Sequence, residues 1–287
     1  MLQLGTLIAL ACALATNVAL LCKHRGAREA PVVELRRPLR SAAGLFGSRW
    51  WTIGFAIAAG AWALHVVALA IAPLSLVETT ISGGLVLLAW LAERWFGAHL
   101  GPREWLGLGL CACGLALLAV TSGQATSPNS AYETGAMIPF EATAIGVGLL
   151  LLVSGSSSGS RPSSGPVLGA AAGLLLGVSN VSLKALTGTV PGDLLSIISP
   201  WTAVAVIAGA GAFFALARGM QTGAAIPVIT VTTVAANLIA VTGGVLVFGD
   251  PVGADPVAIA ARCAAFAAVI AAAVMIPGPL RGARAAA

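Results

Sequence analysis

Six polar or ionisable side chains stand inside stretches that are otherwise apolar: Asn17, His65, Glu78, Asn180, Lys184 and Arg262. A carboxylate, an imidazole and two cations held in such surroundings are costly, and groups of this kind usually face a bundle interior and mark a solute or proton pathway. Glu78 and His65 are the ones able to carry a proton. Lys184 and Arg262 could instead neutralise Glu78 in a structural ion pair, and removing one partner would then destabilise the fold.

Each of these residues also has a plainer reading. His65 on an apolar helix is most often packed with one hydrogen bond. Lys184 lies a few residues from the end of its apolar run and can reach the headgroups, a reading of equal weight to the functional one. Glu141 follows Pro139 in what reads as the first turn of a helix, where the dipole favours a carboxylate without any function. Glu78 is harder to dismiss, because it closes an apolar turn and is followed by Thr79 and Thr80. For Asn17 and Asn180, lining a cavity and bridging helices stand side by side, whereas Asn237 reads as a bridge worth on the order of 1 kcal/mol. Thr230, Thr232 and Thr233 follow Pro227 and either line a path or satisfy backbone groups freed by the proline.

The elements that position these residues are long apolar helices. Hydrophobic residues make up 58% of the chain and charged ones 9%, and mean hydropathy is +0.97, which calls for lipid rather than water. The runs are continuous and rich in Ala, Leu, Val and Gly rather than short and alternating, so helices are a much better reading than a β-barrel and an all-α integral membrane protein is expected. Nine spans fit, at about 2–22, 51–72, 75–95, 104–121, 137–154, 167–187, 195–217, 223–248 and 257–276. The first lacks a basic leader and runs into a basic segment, so it reads as a mature helix rather than a signal peptide. The segment 24–48 is too charged to span, and Ser154 to Pro166 reads as a flexible linker.

With the segment after the first span on the cytoplasmic side, every Lys and Arg outside the spans falls inside, which sets the N-terminus out and the C-terminus in. At about 1.5 Å per residue, Glu78, Glu141, Lys184 and Arg262 then lie in the outer half of the membrane, with His65 somewhat deeper. Trp50, Trp51, Trp95, Trp105 and Trp201 lie near span ends, where interfacial rings belong. The five cysteines have no metal-site spacing and read as packing residues.

Gly169, Gly173 and Gly177 recur every four residues and form a close-packing face. Just beyond them, Asn180-Val181-Ser182-Leu183 echoes Asn17-Val18-Ala19-Leu20, each with a lysine close by, Lys184 and Lys23. The two echoes sit in spans of opposite direction. SGGLVL at 82–87 likewise resembles TGGVLV at 242–247. Spans one to four and six to nine thus read as inverted repeats joined by span five. In residues, the first repeat is 1–121, the connecting helix and linker 122–166, and the second repeat 167–287.

The block from Trp51 to Val120 resembles the drug/metabolite transporter superfamily, including its EamA-like families. The resemblance rests on Ala68-Leu69, Pro73-Leu74-Ser75-Leu76-Val77-Glu78, Leu91-Ala92-Glu93-Arg94 and Glu104-Trp105-Leu106-Gly107, continued by Gly114-Leu115-Ala116-Leu117-Leu118. The second half follows more loosely, with Ala225-Ile226-Pro227 and Phe248-Gly249-Asp250. Typical members have ten helices. Nine spans, with Lys23 and Lys184 near the ends of repeat-opening helices, look more like the NIPA magnesium-transporter branch.

The resemblance implies a central cavity with access alternating between the two sides, and a secondary transporter of a small solute. A magnesium or other divalent-cation transporter is one alternative, although the embedded cluster holds as many bases as acids. A non-transporting membrane scaffold is the other. Nucleotide loops, metal-ligand clusters and catalytic constellations are absent from the sequence, so no enzyme, cofactor or bound metal is expected. The expected partners are the lipid bilayer and a small solute or ion, with a homodimer left open and no nucleic acid. The expected location is the plasma (inner) membrane of a bacterium.

Overall fold

Proline sets where several helices begin, since it lacks an N–H that the first turn leaves unbonded anyway and its fixed φ suits the helix. Pro38, Pro102, Pro200 and Pro256 each open one in the computed structural model, which describes residues 2–34, 37–71, 74–96, 100–122, 132–157, 164–189, 198–249 and 256–275. The described residues form helices and short connections: α1 (Leu2–Glu29), α2 (Pro38–Phe46), α3 (Arg49–Ile71), α4 (Leu74–Phe96), α5 (Pro102–Ser122), α6 (Thr134–Ser157), α7 (Ser164–Thr189), α8 (Pro200–Thr222), α9 (Ala225–Phe248) and α10 (Pro256–Met275). Side-chain caps reinforce the prolines. Glu104 reaches back from the third position of α5 to accept from Gly101 N, and Ser199 accepts from Thr202 N at the start of α8. Gly249 ends α9 with φ +65°, a left-handed turn that a side chain would resist.

Among the described residues, five helices are both long and apolar enough to cross a membrane: α1 over Gln3–Glu29, α6, α7 over Ser164–Leu186, α8 and α9. These several long apolar helices suggest a membrane-embedded protein.

Several sequence expectations need correction. Helix α1 does not stop near residue 22 but continues to Glu29, because charged residues are good helix formers and Arg25 pairs with Glu29 one turn on at 3.1 Å. The segment 24–48 also holds the short helix α2. Ser154 to Ser157 belong to α6 rather than to a linker, their hydroxyls bonding back to the carbonyls of Leu151 and Val153, and Ser164 to Pro166 already belong to α7.

Two helices act as hubs. Helix α1 packs on α3 and α4, and α7 packs on α8, α9 and α6. Helix α5 joins α4 to α10, where a Cβ at Gly114 would meet the side chain of Val269. One apolar cluster runs through both halves of the chain, with Leu21, Trp51, Leu88 and Leu108 from the first and Met220, Ile226, Ile229 and Val269 from the second. Trp51 is therefore not an interfacial ring. It is buried and meets Phe213 of α8 edge-on at 5.6 Å. Cys113 and Cys263 depart from the packing reading too, since both are exposed on helix surfaces.

Candidate functional site

The C-terminal end of α1 meets the turn between α8 and α9. Gln221 is the centre of this junction: its amide nitrogen donates to Ala27 O and Pro31 O at 3.0 and 2.9 Å, and its carbonyl oxygen accepts from Val33 N at 3.0 Å. Arg218 Nη1 holds the same oxygen at 3.3 Å. His24 Nε2 lies 3.1 Å from Gly223 O. Gly165, in the first turn of α7, packs so closely on Gly223 that a Cβ would stand 2.5 Å from its Cα. Helix α1 therefore runs towards this junction and α7 runs away from it. Arg37 and Arg40 lie beside Pro31 and Val32 of the connector that Gln221 holds.

Away from the junction both hubs are uncovered along one face. On α1, Leu7, Leu14, Val18 and Leu21 share a face. Leu7 is 63% exposed and Leu14 is also exposed, Val18 is partly buried, and Leu21 is 1% exposed inside the cluster that spans both halves. On α7 the face that begins at Gly169, buried against α9, continues as Leu176, Asn180 and Leu183, all exposed. On α4 a Cβ at Gly83 would meet nothing within 4 Å.

Asn17 ties α1 to α4. It is 5% exposed, and its amide nitrogen donates to Ala13 O at 2.8 Å and Gly84 O at 2.7 Å. That approach depends on Gly84, where a Cβ would come within 2.9 Å of Asn17 Nδ2. Asn180, its counterpart in the echoed motif, is exposed instead. Asn237 donates to Thr233 O of its own helix at 2.9 Å, so the expected bridge between helices is a local bond.

Lys184 is half-buried with its Nζ 4.3 Å from the centre of the Phe248 ring, a cation–π contact linking α7 to α9. His65 is half-buried on α3, and Arg262 is half-buried on α10, which packs on α5. Glu78 lies on α4, and its side chain falls outside the described part of the structure. Among the described residues no three His, Cys, Asp or Glu side chains group as metal ligands.

Comparisons of the chain with family models, curated proteins and solved structures find no match.

The Gly169, Gly173 and Gly177 face lies on α9. A Cβ at Gly173 would collide with Thr232 O and stand 2.6 Å from Ala235 Cβ, and one at Gly177 would stand 2.5 Å from Ile239 Cβ. Thr232 Oγ1 shares its bond between Val228 O of its own helix and Gly169 O across the seam, at 2.8 and 2.9 Å. Pro227 does not disturb α9, because it sits in the first turn. Thr230 Oγ1 is buried with no hydrogen-bond partner among the described residues.

Sequence reasoning undervalued Glu141. The helix begins at Thr134, so Glu141 lies beyond its first turn, and it is 3% exposed. Its carboxylate accepts from Ser182 Oγ of α7 at 2.5 Å. The signal was the exchange of Ala19 for Ser182 between the echoed motifs: Glu141 sits on α6, which has no counterpart in the first half. Gln221 left no comparable signal, being one polar residue among several at a helix end.

Proposed function

We propose that the chain is a secondary transporter of the drug/metabolite type, moving a small solute through a cleft between inverted halves, α1 with α3 to α5 and α7 to α10, joined by α6. On this reading α1 and α3 to α10 all span the bilayer. The basic end is cytoplasmic by the positive-inside rule, so the N-terminus is outside, in the plasma membrane of a bacterium. The observation that carries the reading is the shared asymmetry of the hubs, which run in opposite directions yet each present, away from the junction, one uncovered face, Leu7 and Leu14 on α1 and Leu176, Asn180 and Leu183 on α7. Such a chain has its inner end closed and its outer end open, one of the two states that alternating access requires.

The repeat itself draws support from a second pairing. In the first half the Gly83-Gly84 stretch meets α1 at Asn17, and in the second half the Gly243-Gly244 stretch meets α7 at Val181, whose side chain would lie 2.7 Å from a Cβ on Gly243. Two sequence echoes thus touch each other in each half, in register to within one residue.

A membrane scaffold is the second reading. It is favoured by the polar groups satisfied between helices, Asn17 with Gly84, Glu141 with Ser182 and Thr232 with Gly169. Labelling separates the two. In oriented vesicles of a variant with Cys113 and Cys263 replaced by alanine, a membrane-impermeant maleimide added outside should modify Leu14→Cys and Asn180→Cys but not Leu21→Cys. A cleft filled with water makes the first two reactive. If both stay unmodified, those faces look onto lipid or another protein and the transporter reading fails.

A further inference from the structure

The short helix α2 is buried on one face and apolar and exposed on the other. Ser41 and Leu45 are buried against the protein, and Ser41 pins the preceding connector by donating to Glu34 O and accepting from Glu34 N, at 3.0 and 2.9 Å. The opposite face carries Leu39, Ala43 and Phe46, all exposed, with Leu39 at 86%. That outer face continues onto α3, because the Phe46 ring packs edge-on against Phe55 at 5.3 Å, and Phe55 is itself exposed on a long apolar helix. Beside it a pocket of about 160 Å³ opens between the connector and α2, lined by Pro31, Val32, Glu34, Arg37, Arg40 and Ser41. Glu34 is the one acid there; it is exposed and lies 3.9 Å from Arg37. Arg40 is exposed and no ion pair engages it among the described residues. Arg28 and Arg49 are exposed on the flanking helices.

We infer that α2 lies in the membrane interface and binds the headgroup of an anionic phospholipid. Leu39 and Phe46 enter the boundary of the acyl chains, while Arg37 and Arg40 take the phosphate. An interfacial helix of this kind combines an apolar face with basic residues at its edge, and basic groups next to a membrane-entry point draw anionic lipid. Arginine suits the role because its planar fork pairs with two phosphate oxygens. The inference needs a membrane-embedded chain and does not depend on transport.

The full-length protein in neutral detergent would be titrated with phosphatidylglycerol, phosphatidylcholine or inorganic phosphate while its thermal midpoint is followed. Phosphatidylglycerol should raise the midpoint and the other two should not. Arg40→Gln should shrink that rise, and Arg37→Gln with Arg40→Gln should abolish it, whereas Arg103→Gln at another helix start should keep it. Equal rises with phosphatidylcholine would mean bulk lipid solvation, equal rises with inorganic phosphate would mean a soluble anion site, and an unchanged response in Arg40→Gln would remove the site from α2; each result overturns the inference. A second measurement avoids any question of folding. A spin label at Leu39→Cys, with Cys113 and Cys263 replaced by alanine, should be relaxed by oxygen dissolved in lipid and shielded from an aqueous relaxation agent. The reverse would lift α2 off the membrane and sink the idea.

Discussion

Replacing Gln221 with alanine would remove the side chain that clasps the end of α8 to the α1–α2 connection. Three hydrogen bonds between the two halves go with it, to Ala27 O, Pro31 O and Val33 N. Each contributes a net 0.5–1.5 kcal/mol in typical mutational series, but Gln221 is half-exposed and water can rebond the freed groups, so the clasp is worth about 1–2 kcal/mol in all. On the transporter reading that is a factor of roughly 5–30 in the balance between closed and open inner ends. The assay is modification of Met220→Cys, at a position that is fully buried beside the clasp, by a maleimide applied to inside-out vesicles lacking Cys113 and Cys263. With opening fast relative to labelling, the rate follows the open population, so Gln221→Ala should speed it by that same factor with little loss of thermal stability. An unchanged rate in a well-folded variant would refute the clasp. Loss of the folded protein would show that Gln221 ties the structure together rather than closing one end of it.

Gly173→Ala should lower the thermal midpoint, because its Cβ strikes Thr232 O and Ala235; overpacking of this kind costs about 1–3 kcal/mol, and an unchanged midpoint would mean that α7 and α9 part without penalty. Asn17→Ala should cost on the order of 1 kcal/mol by freeing Gly84 O, whereas Asn180→Ala should leave stability intact and, in the transporter reading, reduce uptake. Melting curves of the two variants check the contrast, and a destabilised Asn180→Ala with a stable Asn17→Ala would reverse it. Glu141→Gln should keep a partner for Ser182 and fold normally, while Glu141→Leu strands that hydroxyl and should lower the midpoint; equal midpoints would show that the bond contributes nothing. External maleimide should reach Thr134→Cys and miss Ser157→Cys, the two ends of α6, and the opposite pattern would invert the orientation.

The all-helical character was legible because helices that satisfy their own backbone groups in lipid need long apolar runs, and those runs are continuous in this chain. The charged segment after the first of them was harder to read. Charge marks where a helix leaves lipid, not where it ends, and Arg25 with Glu29 continues α1 into the region of α2. Trp51 misled for a related reason: a tryptophan at the start of a span looks interfacial unless the helix beyond it, here α8 with Phe213, is known to cover it. Asn17 and Asn180 could not be told apart from sequence. Their neighbours match along the chain, and their difference lies in what another helix offers, Gly84 O for one and an open face for the other. Glu141 was discounted because Pro139 looked like a helix start, although α6 begins more than a turn earlier, at Thr134.

The glycine seam has a mechanical side. Along it the backbone of α9 rests in notches left by Gly169, Gly173 and Gly177, with Thr232, Ala235 and Ile239 seated as teeth. Sliding one helix past the other by a single residue, about 1.5 Å, would drive a methyl group against main chain. The α7–α9 pair therefore behaves like a meshed gear that is locked in translation, and any rocking of the second half carries both helices as one stiff lever.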